Sequence, residues 1–482
     1  NMDGSMAYAA FTDAENGDYS LSANSYCINA GEEVADSLDL YGKARKQGGA
    51  VDMGAIESAH AKAPAYQKCG DIIYVKSGEK GDGSSWTSAF GDIQQAIFAA
   101  SADGKKHQIW VAAGTYYGDT TLSTVVNLAP GISLYGGFSG NEKSLSARDT
   151  ANNPTIIDGK NQRRVITQNY GFSDSMAVVV DGFTIQNGTA ANGGGVNVTA
   201  NTTINNCIIK ANSASNYGSA IYATGAVVKN CQIFGNTNSD RVYYTVRLNN
   251  CVMDSCVVKD NKTYYNAAIL AENKTKVTNS VLEGNNSVYL YYSGSSFNNS
   301  ELSNCKFVKT SGAGACVELA NSSVMSRCLF EKNTNVSTHV IYINGKSLAE
   351  DCQILSNTTS SNLLYLNSGK VNRCLVKGNT TSDRIMTMYY SSSSSNSLIC
   401  DNVCTNSYEP IYMYDKCVAL NNTIVNNETK HGNVLYMSNS TLKNSIVAGN
   451  KTNAGYSCCL NLGGTNTIKN NMFEGTFVDG NM

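Results

Sequence analysis

The stretch VVKNCQIFGN at residues 227–236 and the stretch KVNRCLVKGN at residues 370–379 follow the same order of residue types. In each, an apolar residue lies three positions before a cysteine, a second apolar residue lies two positions after it, and an asparagine lies five positions after it. With the cysteine as position zero, this order recurs along the chain at intervals of 22 to 27 residues, about 24 on average. That interval is the length of one coil of a parallel β-solenoid.

The neighbouring positions support the repeat. Position −3 is apolar in every coil, and position +2 is apolar in all coils but one. This alternation is the periodicity of a strand, so the residues at positions zero and +2 are predicted to point inward. Thirteen coils follow, with position zero at Gly182, Cys207, Cys231, Cys256, Ser280, Cys305, Cys328, Cys352, Cys374, Asp401, Thr423, Ser445 and Asn471.

Position +5 predicts an internal asparagine ladder. Asparagine tolerates the left-handed geometry that ends a strand, and its amide group both donates and accepts hydrogen bonds along a stack of identical turns. Each rung is expected to add about 0.5 to 1.5 kcal/mol to the stability of the fold. The predicted rungs are Asn212, Asn236, Asn261, Asn285, Asn333, Asn357 and Asn379, with Asn187, Asn406 and Asn450 toward the ends.

Cysteine at position zero is interpreted as a packing residue, because free cysteine is small, polarizable and among the most buried residue types. Cysteines in register on neighbouring parallel strands point the same way, which suits a disulfide poorly. A bridge between Cys400 and Cys404, which flank the predicted inward Asp401, stays open. The chain has four histidines and no CxxC pair, so no metal site and no cofactor are predicted. The predicted cysteine column comprises Cys207, Cys231, Cys256, Cys305, Cys328, Cys352 and Cys374.

Composition narrows the class of protein. Charged residues make up only 15% of the 482 residues, while glycine is frequent and proline scarce, which is typical of a β-rich, turn-rich extracellular protein. Lys plus Arg number 36 and Asp plus Glu number 38, so no strong field attracts nucleic acid or an anionic membrane. No apolar run reaches the roughly 18 residues that a membrane-spanning helix needs. We expect a secreted or cell-surface protein whose secretion signal lies outside these residues.

Residues 71–181 differ from the repeats and are predicted to form an entry unit with the first coils. Residues 92–104 place Ile93, Ala96, Ile97 and Ala100 at helical spacing. The apolar stripe of this helix is predicted to cover the exposed first coil.

Several motifs carry a resemblance to a known family. IWVAAGTYYG at 109–118, ISLYGGFSGNE at 132–142, TIIDG at 155–159, VDGFTIQNG at 180–188 and GGGV at 193–196 resemble the right-handed parallel β-helix proteins of bacterial surfaces. The chain is similar to polymorphic outer-membrane protein repeats, to pectate-lyase-like β-helices and to large secreted proteins of gut Bacteroidetes. The resemblance implies a right-handed, single-stranded parallel β-helix. The GGA[ILV] half of the repeat appears only as GGGV and as GSAI at 218–221, a departure from the family pattern.

Residues 1–58 carry a second resemblance, through NGDYSLSANSYCINAG at 16–31 and VDMGAIES at 51–58, to the segment that closes such a β-helix after its last coil. This implies a closing segment of a preceding unit at 1–58, a linker at 59–70 and repetitive coils at 182–482. A twelve-residue linker reaches at most about 40 Å, whereas thirteen coils span about 60 Å, so capping of its own far end is not expected. Head-to-tail self-association through residues 1–58 is possible, and we expect these residues to pack near the start of the solenoid.

A recurring tyrosine marks a second strand in the coils. If the aliphatic neighbours in AIYA, VIYI, LLYL, PIYM and VLYM point inward, the tyrosines point outward. Such a stripe either stabilises the sheet surface or serves as a platform on which sugar rings stack. Arg247, Ile269, Glu318 and Thr387 are predicted to interrupt it. The predicted ligand-binding residues are Tyr222, Tyr289, Tyr342, Tyr365, Tyr412 and Tyr436.

No catalytic residues are predicted, although polysaccharide lyases and glycoside hydrolases with this fold provide the alternative function. Asp240-Arg241 and Asp383-Arg384 recur at the same turn position, which is typical of a repeated turn. Asp158, Asp174 and Asp181 are the remaining acidic candidates. The preferred hypothesis is a non-catalytic, adhesin-like protein that binds glycans or host surface components, with an enzyme or a rigid spacer as alternatives.

Overall fold

The computed structural model describes residues 11–13, 18–21, 25, 27–29, 31–32, 37–47, 50–59, 70–238, 244–263, 268–287, 295–312, 315–334, 338–406, 409–452 and 460–474. The chain divides into two compact units, Asn1–Thr155 and Ile156–Met482.

The first part of unit 1 is a short antiparallel region. Strands Phe11–Asp13 and Asp18–Leu21 pair with each other, and isolated antiparallel bridges join Gly31 to Val51 and Leu38 to Ala44. These residues belong to the predicted closing segment, whose assignment stays a prediction. Most of the predicted linker lies outside the described residues.

The second part of unit 1 is a parallel sheet with one α-helix. Strands Ile72–Val75, His107–Ala112 and Ile132–Phe138 pair in parallel, and two shorter strands, Gly114–Tyr116 and Thr124–Asn127, lie in the same unit. Helix α1 (Ile93–Ser101) begins after Asp92, whose carboxylate accepts a hydrogen bond from the backbone N–H of Gln95. The four residues of its predicted apolar stripe are all buried, and the helix packs against these strands. Its role as a cap stays a prediction. Short 3₁₀ helices lie at Trp86–Ser88 and Leu145–Ala147.

Unit 2 is a stack of similar turns. One turn runs through strands Ile221–Thr224, Val227–Lys229, Gln232–Phe234 and Thr237–Asn238, and each strand pairs in parallel with its equivalent in the next turn. The fold prediction is confirmed: the chain is an all-β parallel solenoid of the right-handed β-helix type, with about 14 turns of about 24 residues.

The strands of unit 2 form three long sheets and two short ones. Sheet 1 contains Val178–Asp181, Thr202–Asn205, Val227–Lys229, Val252–Asp254, Lys276–Thr278, Glu301–Ser303, Val324–Ser326, Leu348–Glu350, Lys370–Asn372, Ser393–Ser395, Val418–Leu420, Thr441–Lys443 and Thr467–Lys469. Sheet 2 contains Phe183–Gln186, Ile208–Lys210, Gln232–Phe234, Val257–Lys259, Val281–Glu283, Lys306–Val308, Leu329–Glu331, Gln353–Leu355, Leu375–Lys377, Leu398–Cys400, Thr423–Val425, Ile446–Ala448 and Met472–Phe473, and strand Thr155–Asp158 begins at the last residue of unit 1.

Sheet 3 contains Arg164–Thr167, Val196–Val198, Ile221–Thr224, Val246–Asn249, Ile269–Glu272, Ser295–Asn298, Val317–Ala320, His339–Asn344, Asn362–Asn367, Met386–Tyr389, Ile411–Tyr414, Leu435–Ser438 and Leu460–Gly463. One short sheet contains Thr189–Asn192, Ser213–Tyr217, Thr237–Asn238, Lys262–Thr263, Asn286–Ser287 and Ser311–Gly312. The other contains Thr358–Thr359, Thr380–Thr381, Val403–Cys404, Glu428–Thr429 and Lys451–Thr452. A 3₁₀ helix lies at Asp174–Met176.

Each turn bends sharply between sheet 1 and sheet 2, and the bend explains the asparagine–cysteine step of the repeat. The residue before position zero has a positive φ, such as 55° at Asn230, and asparagine tolerates this left-handed conformation better than most residues. The next residue, Cys231, is buried. The same pair of a left-handed residue and an inward residue recurs at the other bends, for example at Gly235 and Asn236.

The predicted asparagine ladder is confirmed and runs along the solenoid axis. The Nδ2 of Asn236 donates to the Oδ1 of Asn261 at 3.0 Å, and the backbone N–H of Asn236 donates to the same oxygen at 3.0 Å. Nδ2 also donates to the carbonyl of Ile209 in the preceding turn at 3.0 Å. Every polar atom of the buried amide therefore has a partner. Side-chain bonds of this kind link Asn212, Asn236, Asn261 and Asn285, and again Asn333, Asn357, Asn379, Asn402, Asn427 and Asn450.

The predicted frame is wrong in three turns. Val180 pairs with Ile204, so position zero of the first turn is Phe183 and not Gly182. Asp401 is exposed with φ 57°, and Cys374 instead donates its backbone N–H to the hydroxyl of Ser397 at 3.1 Å. Ser397 therefore occupies position zero.

The third wrong turn comes directly after the Ser397 turn, and two predicted ladder residues are also wrong. The backbone N–H of Ser397 donates to the Oδ1 of Asn422, so Asn422 replaces Thr423 at position zero. The ladder residue of the Ser397 turn is Asn402 and not Asn406, because Asn379 donates to Asn402 at 2.8 Å. At the start of the ladder, the predicted rung Asn187 takes no part. The backbone N–H of Gly188 instead donates to the Oδ1 of Asn212.

The cysteine column is buried in the structure. Its sulfurs lie near backbone carbonyls, as where the Sγ of Cys231 lies 3.2 Å from the carbonyl of Lys229. Cysteines 207, 231, 256, 305, 328, 352 and 374 are all buried and unbridged, and Cys400 and Cys404 are also free. Neighbouring thiols of the column, together with burial, raise the pKa of Cys328 and of Cys352 to about 12.

Removal of one central rung should destabilise the solenoid. In Asn357→Ala, the backbone N–H and the Nδ2 of Asn333 lose the oxygen they share, at 3.1 and 2.8 Å. We expect a loss of about 2 to 4 kcal/mol in unfolding free energy, because buried donors are left without partners. Asn372→Ala, on the outer face of sheet 1, is the matched control and should cost less than about 1 kcal/mol. The measurement is the guanidinium concentration at which each variant is half unfolded. Equal midpoints for the two variants would contradict the conclusion that the ladder stabilises the solenoid.

The column thiols should be chemically inert in the folded protein, because all seven are buried away from the reagent and the raised pKa of Cys328 and of Cys352 further depletes their reactive thiolate. With iodoacetamide at pH 8, followed by peptide mass spectrometry, we expect the seven column cysteines to stay unmodified until denaturant is added. Half-buried Cys27 serves as the internal reference and should react first. Labelling of Cys328 at the rate of Cys27 would disprove the buried assignment.

Candidate functional site: a tyrosine cluster on sheet 3

The outer face of sheet 3 carries a column of tyrosines contributed by successive turns. Tyr342 pairs with Tyr365, and Tyr412 pairs with Tyr436, in register across neighbouring strands. The aliphatic residues on either side of each tyrosine are buried, as at Ile341 and Ile343, so alternation along the strand directs the tyrosine outward. Residues about 24 positions apart in sequence therefore meet on one surface.

The rings in this column contact one another. The ring centroids of Tyr342 and Tyr365 are 5.5 Å apart with an edge-to-face angle of 71°, and those of Tyr412 and Tyr436 are 4.8 Å apart and nearly parallel at 10°. Both arrangements are favourable for aromatic pairs.

Thr387 occupies the column position between Tyr365 and Tyr412, as predicted, but Tyr389 fills the gap in the aromatic surface. Tyr389 lies two residues further along the same strand and on the same face. Its ring centroid is 5.7 Å from that of Tyr365 and 5.6 Å from that of Tyr412. The aromatic surface is therefore continuous from Tyr342 to Tyr436.

Three further aromatic residues join this surface, and the sequence prediction missed them. Tyr414 follows Tyr412 in strand IYMY, Tyr390 follows Tyr389, and the imidazole of His339 stacks on the ring of Tyr365 at 4.6 Å. Tyr390 is 55% exposed and Tyr414 is 40% exposed, the highest values in the group. In the sequence, Tyr414 could have been recognised because it follows Tyr412 by two residues in IYMY and so points to the same face of the strand. We define the tyrosine cluster as His339, Tyr342, Tyr365, Tyr389, Tyr390, Tyr412, Tyr414 and Tyr436.

Charged and amide groups border the cluster on one side. The guanidinium of Arg384 lies 4.5 Å from the ring centroid of Tyr412, and its nitrogens lie 3.7 Å from Asp383 and 3.9 Å from Glu409. The Nδ2 of Asn461 donates to Glu409 at 3.3 Å. Burial raises the pKa of Tyr412 to about 12, so its hydroxyl stays protonated and can donate a hydrogen bond.

The imidazole of His339 is a half-buried titratable group of the cluster. It packs against the rings of Tyr342 and Tyr365, and its Nδ1 is buried with no hydrogen-bond partner in the structure. Burial lowers the pKa of His339 to about 4, because the charged form would lose its hydration. The imidazole is therefore neutral at physiological pH.

The other predicted tyrosines lie outside this cluster. Tyr222 lies further toward the start of unit 2 on sheet 3, where it pairs with Arg247. Tyr289 lies outside the described residues. The predicted interruption at Ile269 is wrong, because Ile269 is buried and Leu270 occupies the outward position opposite Arg247.

The acidic candidates act as hydrogen-bond acceptors at turns. Asp158 is buried and accepts from Gln186 and from Asn187 at 2.8 Å each. Asp181 is buried and accepts from Asn205 at 2.5 Å, while Asp174 accepts from Asn201 at 2.9 Å. Each carboxylate thus joins two neighbouring turns. The Asp240-Arg241 pair lies outside the described residues.

Two other kinds of feature, metal sites and membrane-spanning helices, concern the same described residues. Across these residues, no three side chains of His, Cys, Asp or Glu come together as a metal site. In the same part of the chain, no helix is both long enough and apolar enough to cross a membrane.

Comparisons with known protein families and with characterised proteins give no match. Among solved structures, the chain is similar to the tailspike protein of E. coli bacteriophage HK620 in complex with a pentasaccharide, with a TM-score of 0.44, 13% identity, and coverage of 78% of this chain and 74% of that chain. It is also similar to PfbA, a surface adhesin of Streptococcus pneumoniae, with a TM-score of 0.32, 14% identity, and coverage of 76% and 92%. Similarity at this level does not carry the functions of those proteins to this chain.

The depressed pKa of His339 predicts a loss of stability in mild acid. An unfolded chain takes up a proton on this imidazole below about pH 6.5, whereas the folded chain does so only near pH 4. Stability should therefore fall as the pH drops from about 6.5 to 4, and His339→Phe should lose less stability over this range. Thermal midpoints at several pH values provide the measurement, with His431→Phe as the control. Parallel profiles for wild type and His339→Phe would contradict the assignment.

Proposed function

We propose that the protein is a secreted or cell-surface β-helix protein that binds uncharged glycans through the tyrosine cluster. The observation that carries this proposal is the continuous row of rings from Tyr342 to Tyr436, with Tyr390 and Tyr414 exposed beside it. A tyrosine offers an apolar face to the C–H groups of a sugar ring and a hydroxyl to its oxygens. Because the hydroxyls are on the outer face of a rigid sheet, their ordering costs little entropy on binding.

The dimensions of the cluster suit an oligomeric ligand. Five successive strands contribute rings, and four steps of about 4.8 Å between parallel strands give a length of about 19 Å along the solenoid axis. This length accommodates several sugar units in a row. A glycan chain lying along the axis would contact one turn after another.

The electrostatics favour a neutral glycan over an acidic one. Arg384 is a cation in contact with the cluster, and both Asp383 and Glu409 already lie near its guanidinium. An acidic sugar would have to compete with these two carboxylates. Arg384, Glu409 and Asn461 can instead hydrogen-bond the hydroxyls of an uncharged sugar.

A glycoside hydrolase is the second candidate, and one observation favours it. Asp383 and Glu409 both lie near the guanidinium of Arg384, so two carboxylates are placed together at the edge of the aromatic surface. A carboxylate pair is the minimum for acid–base glycoside hydrolysis. Release of reducing sugars that is abolished by Glu409→Gln would favour this candidate over a protein that only binds.

Substitution of the exposed rings tests the binding proposal. Affinity electrophoresis through gels containing galactomannan, xyloglucan or soluble starch should show retardation in at least one gel, and none in a gel containing polygalacturonate. Tyr414→Ala and Tyr390→Ala should each weaken that retardation at least tenfold, about 1.4 kcal/mol, because each removes an exposed ring from the contact surface.

The matched control is Tyr170→Ala, which removes a ring of similar exposure, 42%, outside the cluster. Its retardation should equal that of wild type. Binding to no gel, or equal losses in Tyr414→Ala and Tyr170→Ala, would overturn the proposal and favour a structural spacer.

A further inference from the structure

We propose that the outer face of sheet 3 carries a second binding site for the same class of neutral glycan, so that one chain engages a glycan polymer at two points. The second site is the arginine–tyrosine patch, defined as Tyr217, Tyr222, Tyr244, Arg247 and Glu272. This inference rests on the proposed function, because it assigns to the patch the ligand class proposed for the tyrosine cluster.

The patch is built around one guanidinium. Arg247 lies over two aromatic rings, with its guanidinium carbon 4.8 Å from the centroid of Tyr222 and 5.8 Å from that of Tyr217. Tyr217 and Tyr244 are nearly parallel, with centroids 6.4 Å apart, and Tyr217 is 37% exposed. An exposed aromatic surface therefore surrounds a hydrogen-bond donor that is held in a fixed position.

The chemistry of the patch repeats that of the tyrosine cluster. In both places a guanidinium lies on a tyrosine ring, at 4.8 Å for Arg247 and at 4.5 Å for Arg384. In both places a glutamate lies close to the same guanidinium, at 2.9 Å for Glu272 and at 3.9 Å for Glu409. Each site thus combines exposed rings with a charge-compensated arginine, which favours an uncharged, hydroxyl-rich ligand.

The solenoid itself does not require these residues at outward positions. The equivalent position in other turns holds Asn197, Ser296 or Asn461, and the strands pair in register there as well. The stacking of turns depends on the inward residues at the bends. The same three kinds of group therefore recur on and beside sheet 3, which points to a shared ligand.

The spacing of the two sites sets the size of the ligand that can bridge them. Along the outward column of sheet 3, the order is Tyr222, Arg247, Leu270, Ser296, Glu318 and Tyr342. Glu272, the nearest group of the patch, lies three steps of about 4.8 Å, about 14 Å, from the strand of Tyr342. Five such steps separate the rings of Tyr222 and Tyr342, on which the sugars are proposed to stack, by about 24 Å. A trisaccharide is too short to bridge them, whereas a polymer lying along the axis can occupy both and gain effective concentration at the second site.

Calorimetry on the full chain tests the inference, with the neutral polysaccharide that retards the wild type and the trisaccharide of the same sugar as probes. We expect two trisaccharides per wild-type chain and one per chain for Arg247→Ala and for Tyr217→Ala. The affinity for the polymer should fall at least tenfold in both variants, because bivalent binding is lost. Arg373→Ala is the control, since this arginine pairs with Asp351 at the bend between sheets 1 and 2.

The outcomes separate the inference from the proposed function. One trisaccharide per wild-type chain, with polymer affinity unchanged in Tyr217→Ala, would overturn the second site and leave the tyrosine cluster as the binding site. Binding of neither probe to wild type would overturn both. Tyr217→Ala removes an exposed side chain and should still fold. It therefore tests the second site even if Arg247→Ala is unfolded and shows no thermal transition.

Discussion

The fold depends on how the sharp bends satisfy their buried backbone N–H groups. At the bends, a left-handed residue is followed by an inward residue. In many turns a side-chain oxygen of the next turn accepts the N–H of that inward residue, and along the cysteine column the thiol of the next cysteine takes this place. Asparagine, threonine and serine all fill this role, as in the bonds to Asn261, Thr275 and Ser280. A buried donor without a partner is costly, so this requirement fixes the register of one turn on the next.

Register, in turn, creates the candidate binding surface. When turns stack without slippage, outward residues at equivalent positions form columns whose members are neighbours in space although about 24 residues apart in sequence. The tyrosines of VIYI, LLYL, PIYM and VLYM come together for this reason, and Tyr389 joins them from the adjacent column. The backbone gives the rings a fixed spacing, so the surface exists before a ligand arrives.

The sequence was sufficient for the fold and for part of the site. The frame is correct wherever cysteine marks position zero, from Cys207 to Cys374. It fails where Ser397 and Asn422 take that position, because bends accept several small polar residues and only the partner in the next turn identifies them. The contribution of Tyr389 could not be predicted from one column, since it depends on contacts between two adjacent columns of the sheet.

Contacts in a solenoid are made mainly between adjacent turns, which has a consequence for how this protein could change during evolution. Duplication or deletion of one whole turn between Glu272 and Tyr342 would alter the distance between the two aromatic surfaces by about 4.8 Å and leave each surface intact. Related chains could therefore differ in the length of polymer that spans both surfaces while every residue of the two proposed sites stays the same.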